Sequence, residues 1–384
     1  MKTIQTLITL LFIISISSCN SNKKNEKIDD KKEIEVATVS DSVVFSFSFF
    51  GCNRVNRGDV VDSVPSTANK YALQRIFTEM NGLEQKPDLF FFLGDLVLAE
   101  STITNLDDQL KAWISLYESD PISSSGMEFV SVPGNHEMLY AREVYDPKKQ
   151  KKDWKEFPLQ GSTDIWLNYM KNHMPSDRDT APSSDTLDNR MTFSFVRNNV
   201  GFVVMNTDSY NPPTTENPYG LEGMIPTQWI IDKVNTYKTD STIEHIFVLG
   251  HKPYYVDGTP NTGHHGLPEG PTLWPALEEA RVVAMLSAHL HDYQRVQPIN
   301  NTLGGGTYQI IAGNAGSEGT APFFGYSTIS IMSSGKVQLN SVGFCIGNPY
   351  TTPVPENPTL VRDNVELTWS QNSNTYLQPY TGCD

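Results

Sequence analysis

The sequence predicts an α/β protein, on three observations. Short apolar runs recur at 43–50, 89–93, 129–132, 246–249 and 282–286, each of a length that suits a buried strand. Helical spacing lies between them, as in 69–83, where Tyr71, Leu73, Ile76, Phe77 and Met80 are the apolar positions. The later runs end at Gly94-Asp95, at Gly134-Asn135-His136-Glu137, at Gly250-His251 and just before His289-Leu290-His291. Strands of an α/β sheet collect their C-terminal ends along one edge, so one Asp, one Asn and several His are set to converge there. Oxygen and imidazole donors of that kind suit zinc, manganese or iron.

The chain opens with a targeting segment. Lys2 gives the positive start, and residues 7–16 are apolar but too short to span a bilayer. The segment closes on Ile16-Ser17-Ser18-Cys19, which resembles the lipobox of bacterial lipoproteins. That resemblance implies cleavage before Cys19 and lipid on it; the alternative is an ordinary secretory signal with an incidental cysteine. On the first reading, 1–18 is a signal peptide and 19–42 a tether too poor in apolar residues to fold. The protein is then exported and lipid-anchored to a membrane of a bacterial cell envelope, with lipid on Cys19 as its only membrane contact.

Residues 43–347 are expected to form one domain. After the first two strands and the helix between them come a helical stretch at 106–117 and the strand before Asn135. Residues 140–190 break the alternation: polar, rich in Lys, Asp and Pro, with Trp154 and Trp166, they read as an inserted lid or small helical cap near the site. Asn198-Asn199 turns a hairpin between 191–195 and 200–206. Pro226 opens a helix over 226–237 with Trp229, Ile230 and Val234 on one face. A Gly/Pro/His loop (257–270), a strand at 308–312 and a hairpin over 327–344 turning at Ser334-Gly335 follow. Pro and Asn dominate 348–384, expected as a tail packed on the domain.

Hydrophobic residues at 38% suffice for a core, and the net charge of −15 is spread along the chain. Such a balance argues against a nucleic-acid groove or docking on an anionic membrane. It leaves small anionic substrates open, because bound metals reverse the local field. Export implies an oxidising space, which makes Cys345 and Cys383 candidates for a disulfide and leaves Cys52 single.

In order, Gly-Asp, Gly-Asn-His-Glu, Gly-His and the His289/His291 pair resemble the calcineurin-like metallophosphoesterase superfamily, over about 43–344. Asp292-Tyr293-Gln294-Arg295 is similar to the branch of purple acid phosphatases and alkaline phosphatase D. The resemblance implies a sandwich of two mixed β-sheets flanked by helices, and two metal ions (Fe, Zn or Mn). It implies hydrolysis of a small phosphate mono- or diester by a hydroxide bridging the metals. By residue match, Asp95 bridges both metals, Asn135, His251 and His289 bind the second, and His291 binds the first. His136 matches the proton donor to the leaving oxygen, and Asn135 also touches substrate. Tyr254 is a candidate substrate contact, as are Tyr255, His264 and His265, with packing or loop roles as the alternative.

Two departures stand out. The family's Asp-x-His after the first strand is replaced by Gly51-Cys52-Asn53-Arg54, and Leu98 stands where the branch carries a metal-binding tyrosine. Cys52 is a ligand, as in alkaline phosphatase D-like proteins, or a small buried residue. Asn53 is a further candidate oxygen donor. Arg54 has three readings: a clamp on phosphate oxygens, a charge that weakens the first metal, or a surface ion pair. Asp208 also ends near this edge and is a candidate to orient a ligand. The rival expectation is a non-catalytic binding protein of the same fold with a degraded first metal site.

Overall fold

The computed structural model describes residues 41–56, 66–146, 150–182, 191–211, 221–319, 323–347, 356–370, 372 and 374–377. The expected signal peptide, Cys19 and nearly all of the tether lie outside the described residues, as does Cys383. Cys345 is disulfide-bonded, and Cys52 carries a free thiol.

The first half runs β1 (Val43–Phe50), α1 (Lys70–Asn81), β2 (Leu89–Leu93), α2 (Ile103–Ser119), β3 (Glu128–Val132) and α3 (Asn135–Met138). It continues through β4 (Leu139–Asp146), β5 (Lys151–Pro158), α4 (Ser162–Met170), β6 (Asp179–Thr180), β7 (Phe193–Arg197) and β8 (Val200–Met205). The second half adds β9 (Ser209–Asn211), β10 (Leu221–Met224), α5 (Thr227–Thr239), β11 (His245–Gly250), β12 (Tyr255–Val256), β13 (Thr259–Pro260) and α6 (Gly270–Glu279). Then come β14 (Ala284–Ser287), β15 (Tyr293–Gln297), β16 (Tyr308–Ala312), β17 (Phe323–Met332), β18 (Val337–Cys345), β19 (Leu360–Glu366) and β20 (Asn374–Leu377).

Two mixed sheets result, in the orders β19-β18-β17-β1-β2-β3 and β20-β15-β16-β14-β11-β8-β7-β6. Alternation along each strand explains the layering. Phe47, Phe49, Phe91, Phe202 and Phe247 point into the space between the sheets. Phe50, Phe90 and Phe92 face the other way, onto α1, α2 and α4, while Val203, Val248 and Met285 meet α5 and α6. The architecture is the expected sandwich flanked by helices. Within it, β1, β2 and β3 are parallel, and so are β8, β11, β14 and β16. Their C-terminal ends therefore carry the polar motifs.

Local signals hold where the chemistry is short-range. Asn69 caps α1 by accepting from the Ala72 N–H at 3.3 Å. Asn198, at φ 53, and Gly335, at φ 83, turn the two expected hairpins.

Within 140–190, β4 and β5 pair as a two-stranded ribbon, and α4 buries Trp166 and Met170 completely under the first sheet. The tail does more than lie on the surface, since β19 and β20 each extend a different sheet. From β19, Asp363 accepts from Arg295 Nε of β15 at 2.7 Å and from the Tyr293 hydroxyl at 2.8 Å. Arg295 and Asp363 are 4% and 7% exposed, so the pair ties the sheets together out of water. Breaking one side of such a pair costs roughly 3–5 kcal/mol. Urea unfolding of Asp363→Ala should show a loss of that order, and Arg295→Met with Asp363→Leu should recover most of it.

Candidate metal centre

The loop backbones come first. Asp95 takes the left-handed region at φ 58, as does Cys52 at φ 58, so the chain reverses sharply after both β1 and β2. The loops lace together: Cys52 N–H donates to Gly94 O at 3.0 Å, and Asn53 and Arg54 N–H donate to Asp95 O at 3.0 and 3.2 Å. Gly94 has φ +86, and a Cβ there would lie 2.6 Å from His251 Nδ1, so only glycine fits. Glu137, fully buried, accepts from the N–H groups of Gly134 (2.7 Å), Val97 (3.0 Å) and Asp95 (3.1 Å). It thereby braces both acidic loops. Burial and the nearby Asp95 carboxylate push the Glu137 carboxyl up to about 8, against the pull of these backbone donors.

Around His251 the expected residues meet. His251 Nδ1 is 2.7 Å from Leu93 O. A carbonyl can only accept, so Nδ1 carries a proton, and in the neutral ring Nε2 is then a bare lone pair. That Nε2 lies 3.0 Å from Asn135 Oδ1, 3.2 Å from His289 Nδ1 and 3.3 Å from Asp95 Oδ1. Lone pairs thus converge with at most one proton, on His289 Nδ1, to share among them. His289 Nε2 is also buried without a hydrogen-bond partner. A buried cluster of acceptors short of donors fits a cation. The Cys52 sulfur, an Asp95 oxygen and a His251 nitrogen lie within 4.8 Å of one another, so the thiol does belong to the cluster. Burial, with Asp95, pushes that thiol well above its ordinary range, and only a neighbouring cation would ionise it. Burial works against the Asp95 carboxylate too, yet His251, His136, Arg54 and His291 hold it well below the usual carboxylate range.

The cluster lies at an open cavity of about 610 Å³. Arg54, Asp95, Asn135, His136, His289 and His291 all line it. Arg54 Nε is 3.9 Å from Asp95 Oδ2, which settles its side chain at the cavity rather than on the outer surface. His136 Nδ1 donates to Leu98 O at 3.1 Å, leaving Nε2 as its second site; burial lowers it to about 4. His291 donates from Nδ1 to Glu318 O. Burial, then the Arg54 charge, lowers it to about 4 as well. It shares the cavity with Asp95 but stands outside the Cys52–Asp95–His251 group. His264 and His265 reach the cavity from their loop and place ring nitrogens within 4.8 Å of His289 and of each other.

Other candidates lie off the cavity wall. Tyr254 does not line the cavity; its ring packs on Tyr255 and Trp274 within the core under α6, so it is a packing residue. Asn53 Nδ2 donates to Ala315 O at 2.7 Å and Asn69 O at 3.2 Å, which braces the loop, while its buried Oδ1 has no hydrogen-bond partner. Asp208 lies behind the site, paired with buried Lys252 at 3.0 Å. Sequence reasoning missed Glu156, which accepts from Asn135 Nδ2 at 2.9 Å. It also passed over Lys252, although a lysine directly after a buried Gly-His was a visible signal.

The profile of the calcineurin-like phosphoesterase family matches residues 55–293. Among solved structures the fold is similar to PhoD, at 13% identity over 87% of this chain and 72% of PhoD, with a TM-score of 0.54. It is also similar to a purple acid phosphatase from yellow lupin (Lupinus luteus) seeds, at 15% identity over 77% of this chain, with a TM-score of 0.48. The chain spans about half of the lupin protein, 51%. No curated protein matches. The family profile covers well over half of the chain and takes in Asp95, Asn135, His136, His251, His289 and His291, with Cys52 and Arg54 just ahead of its start: the chain belongs to the calcineurin-like phosphoesterase family.

Proposed function

We propose that the chain hydrolyses a small phosphate mono- or diester in this cavity, with two cations of Fe, Zn or Mn, as an exported protein anchored by lipid on Cys19. The observation that carries the reading is the meeting of Asn135 Oδ1 and Asp95 Oδ1 at His251 Nε2, 3.0 and 3.3 Å from that nitrogen. Cys52, Asp95 and His291 would hold one cation, and Asp95, Asn135, His251 and His289 the other. When bound, such a pair neutralises charge on the phosphoryl oxygens and activates the attacking water.

The protein's own groups do the rest. Arg54 offers a guanidinium fork to phosphate oxygens at the cavity wall. His136 is neutral near pH 7, given its lowered value of about 4, so it takes up a proton only beside an anionic substrate. With Nδ1 fixed on Leu98 O, that proton sits on Nε2 and passes to the leaving oxygen. His264 and His265 reach the bound ester from the cavity's loop side.

One observation favours the rival reading of a binding protein without turnover: Arg54 already places a fixed cation 3.9 Å from Asp95. Metal analysis separates the two. The enzyme should carry two metals and cleave an aryl phosphate or its bis-aryl diester; one metal or none, with no cleavage, establishes the rival. Asp95→Asn should lower metal content and cut turnover by more than about 100-fold, since even outer partners of ligands cost 10–100-fold. Wild-type turnover in that variant would remove the two-cation mechanism. His136→Ala should slow an alkyl phosphate by roughly 10²–10⁴-fold. It should slow para-nitrophenyl phosphate far less, because that leaving oxygen needs no proton; equal losses on both would remove His136 as the acid.

A further inference from the structure

Asn135 faces a conflict. Its Oδ1 lies 3.1 Å from His289 Nδ1 and is directed at His251 Nε2, 3.0 Å away; in the neutral ring, with Nδ1 donating to Leu93 O, Oδ1 and Nε2 are both acceptors. Without a cation, an asparagine free to turn would present its NH₂ group to that nitrogen and gain a hydrogen bond. Something must hold the amide the other way round.

Glu156 does so. Its Oε1 lies 2.9 Å from Asn135 Nδ2, and a carboxylate offers that nitrogen only acceptors, so the NH₂ group is turned outward. Glu156 is itself steadied by the only slightly exposed Lys252, whose Nζ is 3.8 Å from Oε2, with Asp208 3.0 Å behind the lysine. His264 Nδ1 lies 3.6 Å from the same Oε2. The ribbon that carries Glu156 grows out of the site: α3, with Asn135 at its head, runs straight into β4, and the Leu159 N–H returns to Met138 O at 2.9 Å.

We propose that Glu156 is a positioning residue of the metal centre: the β4–β5 ribbon carries it in to lock the Asn135 amide with its oxygen toward the cation. The proposal rests on the two-cation reading above. Groups that orient metal ligands commonly carry 10–100-fold in affinity.

The test is calorimetric titration of the metal-stripped, full-length mature protein with Mn²⁺ alone, alongside thermal unfolding without metal. Glu156→Leu should weaken the tighter Mn²⁺ site by about 10–100-fold while the metal-free melting temperature stays near wild type. Glu156→Asp, one methylene short, should lose as much as the leucine. Glu156→Gln, which keeps both the reach and an acceptor oxygen, should recover most of the affinity. Wild-type affinity in Glu156→Leu overturns the proposal, and so does rescue by Asp but not Gln, which would make charge rather than orientation the cause. Should Glu156→Leu fail to fold, the comparison of Asp with Gln still decides. If the wild-type chain binds Mn²⁺ and Glu156→Leu binds it equally well, the two-cation reading stands and this inference alone falls. If the wild type binds none and hydrolyses nothing, both fall together.

Discussion

The site is organised by one electrostatic constraint: an Asp95 carboxylate only 1% exposed, with a second buried carboxylate, Glu137, beside it. Negative charge sealed from water has to be met by donors or cations. Glu137, its carboxyl pushed up to about 8 by burial and by Asp95, sheds most of that charge by holding a proton and sets its oxygens against three backbone N–H groups. Asp95 meets it with the His136 N–H at 3.2 Å, the imidazoles about it and the Arg54 guanidinium. The left-handed turns at Cys52 and Asp95, and the bare Gly94, follow from packing all of this into one edge.

Much of that edge was legible in the sequence because each donor follows its own strand within a few residues. The run 89–93 and the Gly-Asp after it are one local event, and so are 246–249 and Gly250-His251. The parallel strands at the centre of the two mixed sheets then bring the ends together without further instruction. The hairpins at Asn198 and Gly335 were readable for the same reason, as positive φ is a demand local to one residue.

What was not legible depends on partners distant in the chain. Glu156 reaches Asn135 through the register of a ribbon whose strands show no apolar alternation. Residues 360–366 become a strand because the edge of β18 has unpaired backbone groups to offer, and no periodicity announces it. Tyr254 follows the Gly-His motif by only a few residues, yet the apolar space beside Trp274 claims its ring. An aromatic near a polar motif does not reveal which way its ring turns.

The donors are also divided between the two halves of the sandwich. Cys52, Asp95 and Asn135 follow β1, β2 and β3, whereas His251 and His289 follow β11 and β14 in the opposite sheet. No fragment short of both sheets can hold the full set. An ion seated among them would act as a clasp across the seam. Capture of the ion and docking of the sheets are then coupled: metal stabilises the closed sandwich, because neither sheet alone offers a complete ligand set.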